Sequence, residues 1–537
     1  MAGLIVLLPV ALLAVGAFTL TQQIVRSPLS YLILLHAKDP AALHLLICTA
    51  ALVTAVYYTL VTRGSQRLSL IDDSVEPPMI PSWVPWAGSG IDYIAHPLTF
   101  FKKYSIRYGS TFRFRFFGKT IVAISSPTAV SDLLRDHSGA FEAVINADNT
   151  HLLSGINMND DRILHVYASL IGRASGPTHR ALMPSNLPAI SSRFTQDLLK
   201  GLKQLDLSAP QSSLNEFVHR MMYNASSTAF FGPDFPLHTY DDFMTFDHGS
   251  PLISHRLGIF AKSAAAARDA LYAAWNRHIV RHWVPEQNGY LEGAVDLMTN
   301  IYRELNKADL TQEEIQRLMG LIIWTIHANV LGLTIWVMCH LLTDNDTYTR
   351  ACQEIRAFVD ERFPHIEDIA QIDPRTLEGD DFPFLNSFIR EVMRTKTGLG
   401  ATRVATRDTV IRDKGDKAIL IRKGEIISVN VQGMHFSPEL HSEPEVFKAD
   451  RFVEEGASYK LYTFGMGKHI CAGRNYANFV VRQFVILTLA LYDIQVKPDR
   501  PNGTASLPEI EKCFGVKFMV FFRPKNDLSI TFHKRVQ

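Results

Sequence analysis

Cys471 lies in Phe464-Gly-Met-Gly-Lys-His-Ile-Cys-Ala-Gly473, a glycine-bearing loop that runs into an apolar stretch. The pattern reads as a turn that presents one thiolate to an iron, followed at once by a helix. Gly465, Gly467 and Gly473 are expected to let the backbone turn sharply, since glycine reaches conformations closed to other residues. The helix after Cys471 would aim its N-terminal amides near the sulfur and hold it as thiolate. A single cysteine in a tight turn is often a buried structural residue; the full spacing Phe-x-x-Gly-x-x-x-Cys-x-Gly sets this one apart. Glu391 and Arg394, in Asn386-Ser-Phe-Ile-Arg-Glu-Val-Met-Arg394, share one helix face. By themselves, an acid and an arginine so spaced usually make a surface ion pair.

The cysteine spacing resembles the haem-binding loop of the cytochrome P450 family. Glu391 and Arg394 resemble the Glu-x-x-Arg motif of that family's K helix, and Phe447-Lys-Ala-Asp-Arg-Phe452 resembles the short motif whose arginine joins the pair. The resemblance covers essentially all of Pro77–Arg535. It implies a mainly α fold with a small β region, one large haem domain enclosing haem b, with Cys471 as axial ligand of the iron. A thiolate there pushes electron density toward bound dioxygen and favours O–O cleavage. Glu391, Arg394 and Arg451 become a structural lock under the loop that does not touch substrate. Phe464, Gly465 and Gly473 belong to the cofactor loop. Arg403 and His469 are implied partners of the haem carboxylates, the histidine with a charge that depends on pH. His165–Leu187 holds no tryptophan of the kind usual in the family's C helix, so the remaining carboxylate partners stay unassigned.

Met222-Tyr-Asn-Ala-Ser-Ser-Thr-Ala-Phe-Phe-Gly232 and Phe522-Arg-Pro-Lys-Asn-Asp-Leu-Ser-Ile-Thr-Phe532 narrow the resemblance to the sterol 7α/12α-hydroxylase and prostacyclin synthase group. His469 and the Gly-Arg after Cys-Ala are similar to fungal enzymes of specialised metabolism. The main departure from the family pattern is Asn329-Val330, where most members carry an acid and a threonine that organise water for oxygen protonation. Asn holds water but is a poor proton donor, and Val has no side-chain hydrogen bond to give. Thr325 and Thr334, about one turn to either side, and His327 are the candidate substitutes, the histidine against the alternative that it faces the core. The resemblance places a mostly apolar pocket among Phe141–Asn159, Phe246–Phe260, Trp324–Leu331, Leu399–Thr402 and Cys513–Val516.

The positioning elements follow from pattern. Phe112–Ile124 has strand composition with Gly118 at a hairpin turn. Pro127–Lys396 reads mostly as helices, Ala405–Asn430 as short strands, and Val516–Thr531 as a hairpin around Pro524. Leu321–Leu342 is long and apolar enough for a membrane span. His327, Asn329 and His340 are expensive in lipid, and with the cysteine motif downstream a helix buried through a soluble core is expected.

The chain has 537 residues, with 54 basic and 53 acidic side chains, a balance that suggests no nucleic-acid partner. Five scattered cysteines make no disulfide framework. Met1–Leu20 and Ala41–Thr62 carry no charged side chain, and each is about the 20 residues a bilayer helix needs. Residues 1–70 are therefore expected to be a membrane anchor of one or two helices, about 3–20 and 41–62. A proline-rich hinge, 71–90, and a catalytic domain, 91–537, follow.

The expected activity is a haem-thiolate monooxygenase at the endoplasmic reticulum membrane, its catalytic domain in the cytosol and in contact with membrane lipid. It would oxidise an apolar terpenoid, meroterpenoid or steroid-like small molecule with electrons from NADPH-cytochrome P450 reductase. Asn329 would handle oxygen, and Lys468, Arg474 and Arg482 would dock the reductase. Asn329-Val330 keeps open a rearranging enzyme that acts on a peroxide without NADPH. A membrane-anchored haem-binding scaffold is the non-enzymatic alternative.

Overall fold

The computed structural model describes Thr49, Leu52 and residues 74–535 except 83–86, 136–138, 144–151, 158–159, 171–175, 209–210, 255–257, 287, 399, 401, 455–460, 468–469, 502, 511–520 and 522. The expected spans at 3–20 and 41–62 lie outside the described residues, apart from Thr49 and Leu52.

Strands Thr111–Phe116 and Lys119–Ile124 form an antiparallel hairpin with Thr111 opposite Ile124 and Phe116 opposite Lys119. Phe117 and Gly118 both take positive φ, 46° and 82°, the turn whose twist suits a two-residue hairpin. Ile426–Val429 joins the second strand in parallel, Thr402–Ala405 follows, and Phe141–Ala143 closes a five-stranded sheet. The proline-rich stretch is docked on this sheet. Glu76 receives Arg113 at 2.7 Å and Arg422 at 2.8 Å, and Ile80 is buried.

The tail differs from the expected local hairpin. Ser529–Lys534 pairs with Tyr492–Val496 on one side and Ser212–Ser213 on the other. Apolar alternation marks a strand but carries no information about its partner.

The helical part is organised around Gln312–Thr343, the central helix. Thr311 starts it with a reciprocal cap: the Glu314 N–H donates to Thr311 Oγ1 and the Thr311 N–H donates to Glu314 Oε2. Its most apolar window is 78 % buried inside the chain, so this helix is the core rather than a span. Tyr240–Ser254, the roof helix, packs on Lys262–His282 so closely that a Cβ on Gly249 would lie 2.2 Å from the Ala264 Cβ.

His327, His340 and His435 are buried, and desolvation holds each pKa down to about 3. They stay neutral in the fold, whereas an unfolded chain protonates them near pH 6.5. Below that pH the unfolded state binds more protons, so stability falls as pH falls from about 6.5 toward about 3. The urea midpoint should therefore be lower at about pH 5 than at about pH 7.5; equal midpoints would show that these histidines are not buried neutral.

Candidate functional site

The cysteine loop is shaped by its own backbone. Gly465 N–H donates to the Tyr462 carbonyl at 3.0 Å, and Cys471 N–H donates to the Phe464 carbonyl at 2.8 Å. Gly465 and Gly467 hold φ of 73° and 64°, in the left-handed region. Gly473 does not: as N-cap of the helix Arg474–Leu491 it has φ −82°, open to any residue. The expectation of a glycine-only turn there is corrected, and a Cβ would merely touch Cys471 Sγ at 3.8 Å. Burial raises the Cys471 pKa, opposed by the N–H groups of Gly473 and Arg474 and by the Arg474 charge. The residue nevertheless keeps exposed area. Cys471 is thus surrounded by chain and still accessible.

Behind the loop is a fully buried ion cluster. Arg394 donates to Glu391 through Nε at 2.7 Å and Nη2 at 2.8 Å, and Arg451 Nε donates to Glu391 Oε2 at 3.0 Å. All three side chains are 0 % exposed. Two guanidiniums share one carboxylate, so their remaining donors go to carbonyls: Arg394 to His435 and Pro444, Arg451 to Ser442 and Val446. The Lys448 N–H adds a third direction to Glu391 at 2.9 Å.

Sequence reasoning missed His435. Its Nδ1 bonds the Arg394 carbonyl at 3.2 Å and its Nε2 accepts the Tyr462 N–H at 2.9 Å. One imidazole thus ties the cluster to the residue whose carbonyl starts the cysteine loop, and this fixes the Nδ1–H tautomer. Thr397 and Thr463, with hydroxyls 2.9 Å apart, make a second tie.

Arg403 is buried, and its guanidinium donates to the Thr402 carbonyl at 2.8 Å and the Met466 carbonyl at 3.3 Å. Among the described residues no acid pairs with it, and desolvation lowers its pKa. His179 Nδ1 and Arg474 Nη1 are buried without a hydrogen-bond partner, and the Arg474 charge helps to depress the His179 pKa after desolvation. Asn475 Nδ2, beside Arg474, reaches the Leu182 carbonyl at 2.9 Å. His469 and Lys468 lie outside the described residues. Arg482, expected on a docking surface, is 1 % exposed and donates to Asn386 Oδ1 at 2.6 Å. The cysteine helix is buried around most of its circumference, so a charge on it is not thereby at the surface.

On the central helix, Thr325, Ile326, Asn329 and Gly332 keep accessible area while their neighbours are buried. At 3.6 residues per turn these fall on one arc with Asn329 near its middle. Val330 sits at the edge, 6 % exposed. The two candidate hydroxyls are engaged by their own helix, Thr325 with the Ile322 carbonyl at 2.7 Å and Thr334 with the Val330 carbonyl at 2.8 Å. His327 turns away, 3.2 Å from Ser227 and against the Tyr223 ring.

These residues fit a haem. An accessible sulfur inside the protein, a buried guanidinium with carbonyl partners only, and orphaned donors on His179 and Arg474 suit a planar group that carries an iron and two carboxylates.

The family model for cytochrome P450 matches residues 77–510, and the chain belongs to that family. Its class is monooxygenase, an oxidoreductase, and the family's resident group is haem. Among curated proteins it is similar to cytochrome P450 7A1 of Oryctolagus cuniculus, 24 % identical over 78 % of this chain and 87 % of that one. It is also similar to the 24-hydroxycholesterol 7-alpha-hydroxylase of Mus musculus, 23 % identical over 81 % and 91 %. Among solved structures, retinoic acid-bound cyanobacterial CYP120A1 shares the fold with a TM-score of 0.63 at 20 % identity, covering 86 % of this chain and 99 % of that one.

Proposed function

We propose that this monooxygenase oxidises an apolar terpenoid, meroterpenoid or steroid-like metabolite, with electrons from NADPH-cytochrome P450 reductase. In this reading residues 1–70 anchor it in the endoplasmic reticulum membrane, 71–90 connect, and 91–537 are the catalytic domain facing the cytosol. Cys471 ligates the haem iron, Arg403 and His469 hold the carboxylates, and Phe464, Gly465 and Gly473 shape the loop. His179 and Arg474 are added as carboxylate donors. The observation that carries the reading is the Cys471 thiol, accessible inside the protein and backed by two backbone N–H groups. Sterol hydroxylases among the relatives support the substrate class.

When bound, haem supplies the oxygen-activating redox chemistry. The chain orients and protects. Glu391, Arg394 and Arg451 lock the loop that carries Cys471. Asn329, in the middle of the accessible arc, holds the water or oxygen-side hydrogen bond that Val330 has no group to make. Strict dependence of product on NADPH and reductase tests the reading. Product from an endoperoxide or hydroperoxide without NADPH would instead favour the rearranging enzyme, which the engaged Thr325 and Thr334 hydroxyls and Val330 make the specific alternative.

Val330→Thr should raise the fraction of NADPH converted to product severalfold. The added hydroxyl has one competitor, the Ile326 carbonyl one turn back, the bond that Thr334 makes to Val330. Asn329→Ala should lower turnover by about tenfold or more. Unchanged coupling and turnover in both variants would remove this helix face from the oxygen side.

A further inference from the structure

Three segments meet at a buried charge pair. Asp247 is on the roof helix, Trp324 on the central helix, and Arg523 in the C-terminal segment. Asp247 Oδ1 accepts the Trp324 indole N–H at 3.0 Å, and Asp247 Oδ2 pairs with Arg523 Nη2. The Phe246 ring packs on Trp324 with centroids 5.5 Å apart. Asp247 is 3 % exposed and Arg523 13 %.

The pair borders the accessible arc of the central helix. Trp324 is itself buried, and the residue that follows it, Thr325, begins the accessible arc. At the other end of the arc, a Cβ on Gly332 would lie 3.1 Å from the Cβ of Phe521, two residues before Arg523. The C-terminal segment therefore runs beside the same face that Thr325, Asn329 and Gly332 open.

The hydrogen bonding of the pair is asymmetric. Both carboxylate oxygens of Asp247 are occupied, whereas the guanidinium has five N–H donors and spends one nitrogen on Asp247. What the pair can still offer is donors. Its net charge is zero, so a carboxylate brought to it would leave an uncompensated buried negative charge, which is costly. An acceptor without charge incurs no such cost.

We propose that Arg523, held by Asp247, anchors a neutral oxygen acceptor, such as a ketone, ester or hydroxyl oxygen, on an otherwise apolar substrate. This rests on the apolar-substrate reading above and adds the polar group the substrate must carry. Asp247 is a positioning residue that also sets the charge preference.

The test uses the full haem-loaded chain and two matched probe pairs, 5β-cholanic acid with its methyl ester and abietic acid with methyl abietate, measured by equilibrium dialysis. The wild type should bind the ester of at least one pair about tenfold more tightly than the acid. Arg523→Gln should weaken ester binding by about tenfold, and because it leaves the Asp247 charge unpaired it should exclude the acid at least as strongly as the wild type does. Asp247→Asn keeps an acceptor for Trp324 but frees the Arg523 charge, so the preference should reverse toward the acid. Single changes in a buried pair can unfold a protein. The double variant Asp247→Leu/Arg523→Met removes both charges and should weaken ester binding by about tenfold while still disfavouring the acid, whose charge finds no partner there. In folded variants, an acid-to-ester ratio unchanged within about twofold in Asp247→Asn, or ester binding undiminished in Arg523→Gln, overturns the anchor alone. If none of the four probes binds the wild type, the substrate reading falls and the anchor with it.

Discussion

Cys471→Ala should abolish both the thiolate-type carbon monoxide spectrum and NADPH-driven turnover while leaving the fold in place. The loop is held by backbone bonds, Cys471 N–H to the Phe464 carbonyl and Gly465 N–H to the Tyr462 carbonyl, and neither uses the sulfur. Its left-handed turns belong to Gly465 and Gly467, which the change does not touch. Alanine offers the iron no donor atom. Circular dichroism and the urea midpoint should therefore match the wild type, so that the spectral loss reports the ligand alone. A carbon monoxide spectrum that keeps its thiolate form in the variant would end the assignment of Cys471.

Glu391→Ala should be the most destabilising single change in the described structure. It leaves Arg394 and Arg451, both fully buried, with no counter-charge. Removing one partner of a buried ion pair costs about 3–5 kcal/mol, a large share of the roughly 5–15 kcal/mol that holds a domain folded. The half-exposed pair Arg350–Asp450 has comparable distances, 2.7 and 2.8 Å, yet Asp450→Ala should cost only about 1 kcal/mol. The urea midpoint and the haem content of the purified chain read both. The expected order is a large loss for Glu391→Ala and little for Asp450→Ala; similar midpoints for the two would contradict the cluster's role. Arg394→Lys should fall near Glu391→Ala, because an ammonium cannot make the two-pronged contact that Nε and Nη2 make here.

What could be read from the sequence was local. The cysteine loop packs its glycines, its sulfur and the start of its helix into ten residues, and Glu391 with Arg394 sits within one helical turn. The buried character of Gln312–Thr343 followed from its polar residues at a length fit for a membrane. Contacts closed by tertiary packing had no such signature. Nothing near His435 points to Tyr462, since the bonds it makes are to backbone atoms far along the chain. Asp247 and Arg523 lie on different segments, and periodicity does not say which buried acid meets which buried base. Arg482 looked like surface charge because a charged residue usually is; a helix buried on most sides removed that inference. The strand Ser529–Lys534 was legible as a strand, but its partner was a matter of topology.

The contact between Gly249 and Ala264 has a mechanical consequence. The Ala264 methyl fills the space that a side chain at position 249 would need, so the two helices interlock at this point. A methyl group at Gly249 would act as a wedge, forcing the two helices apart at Ala264.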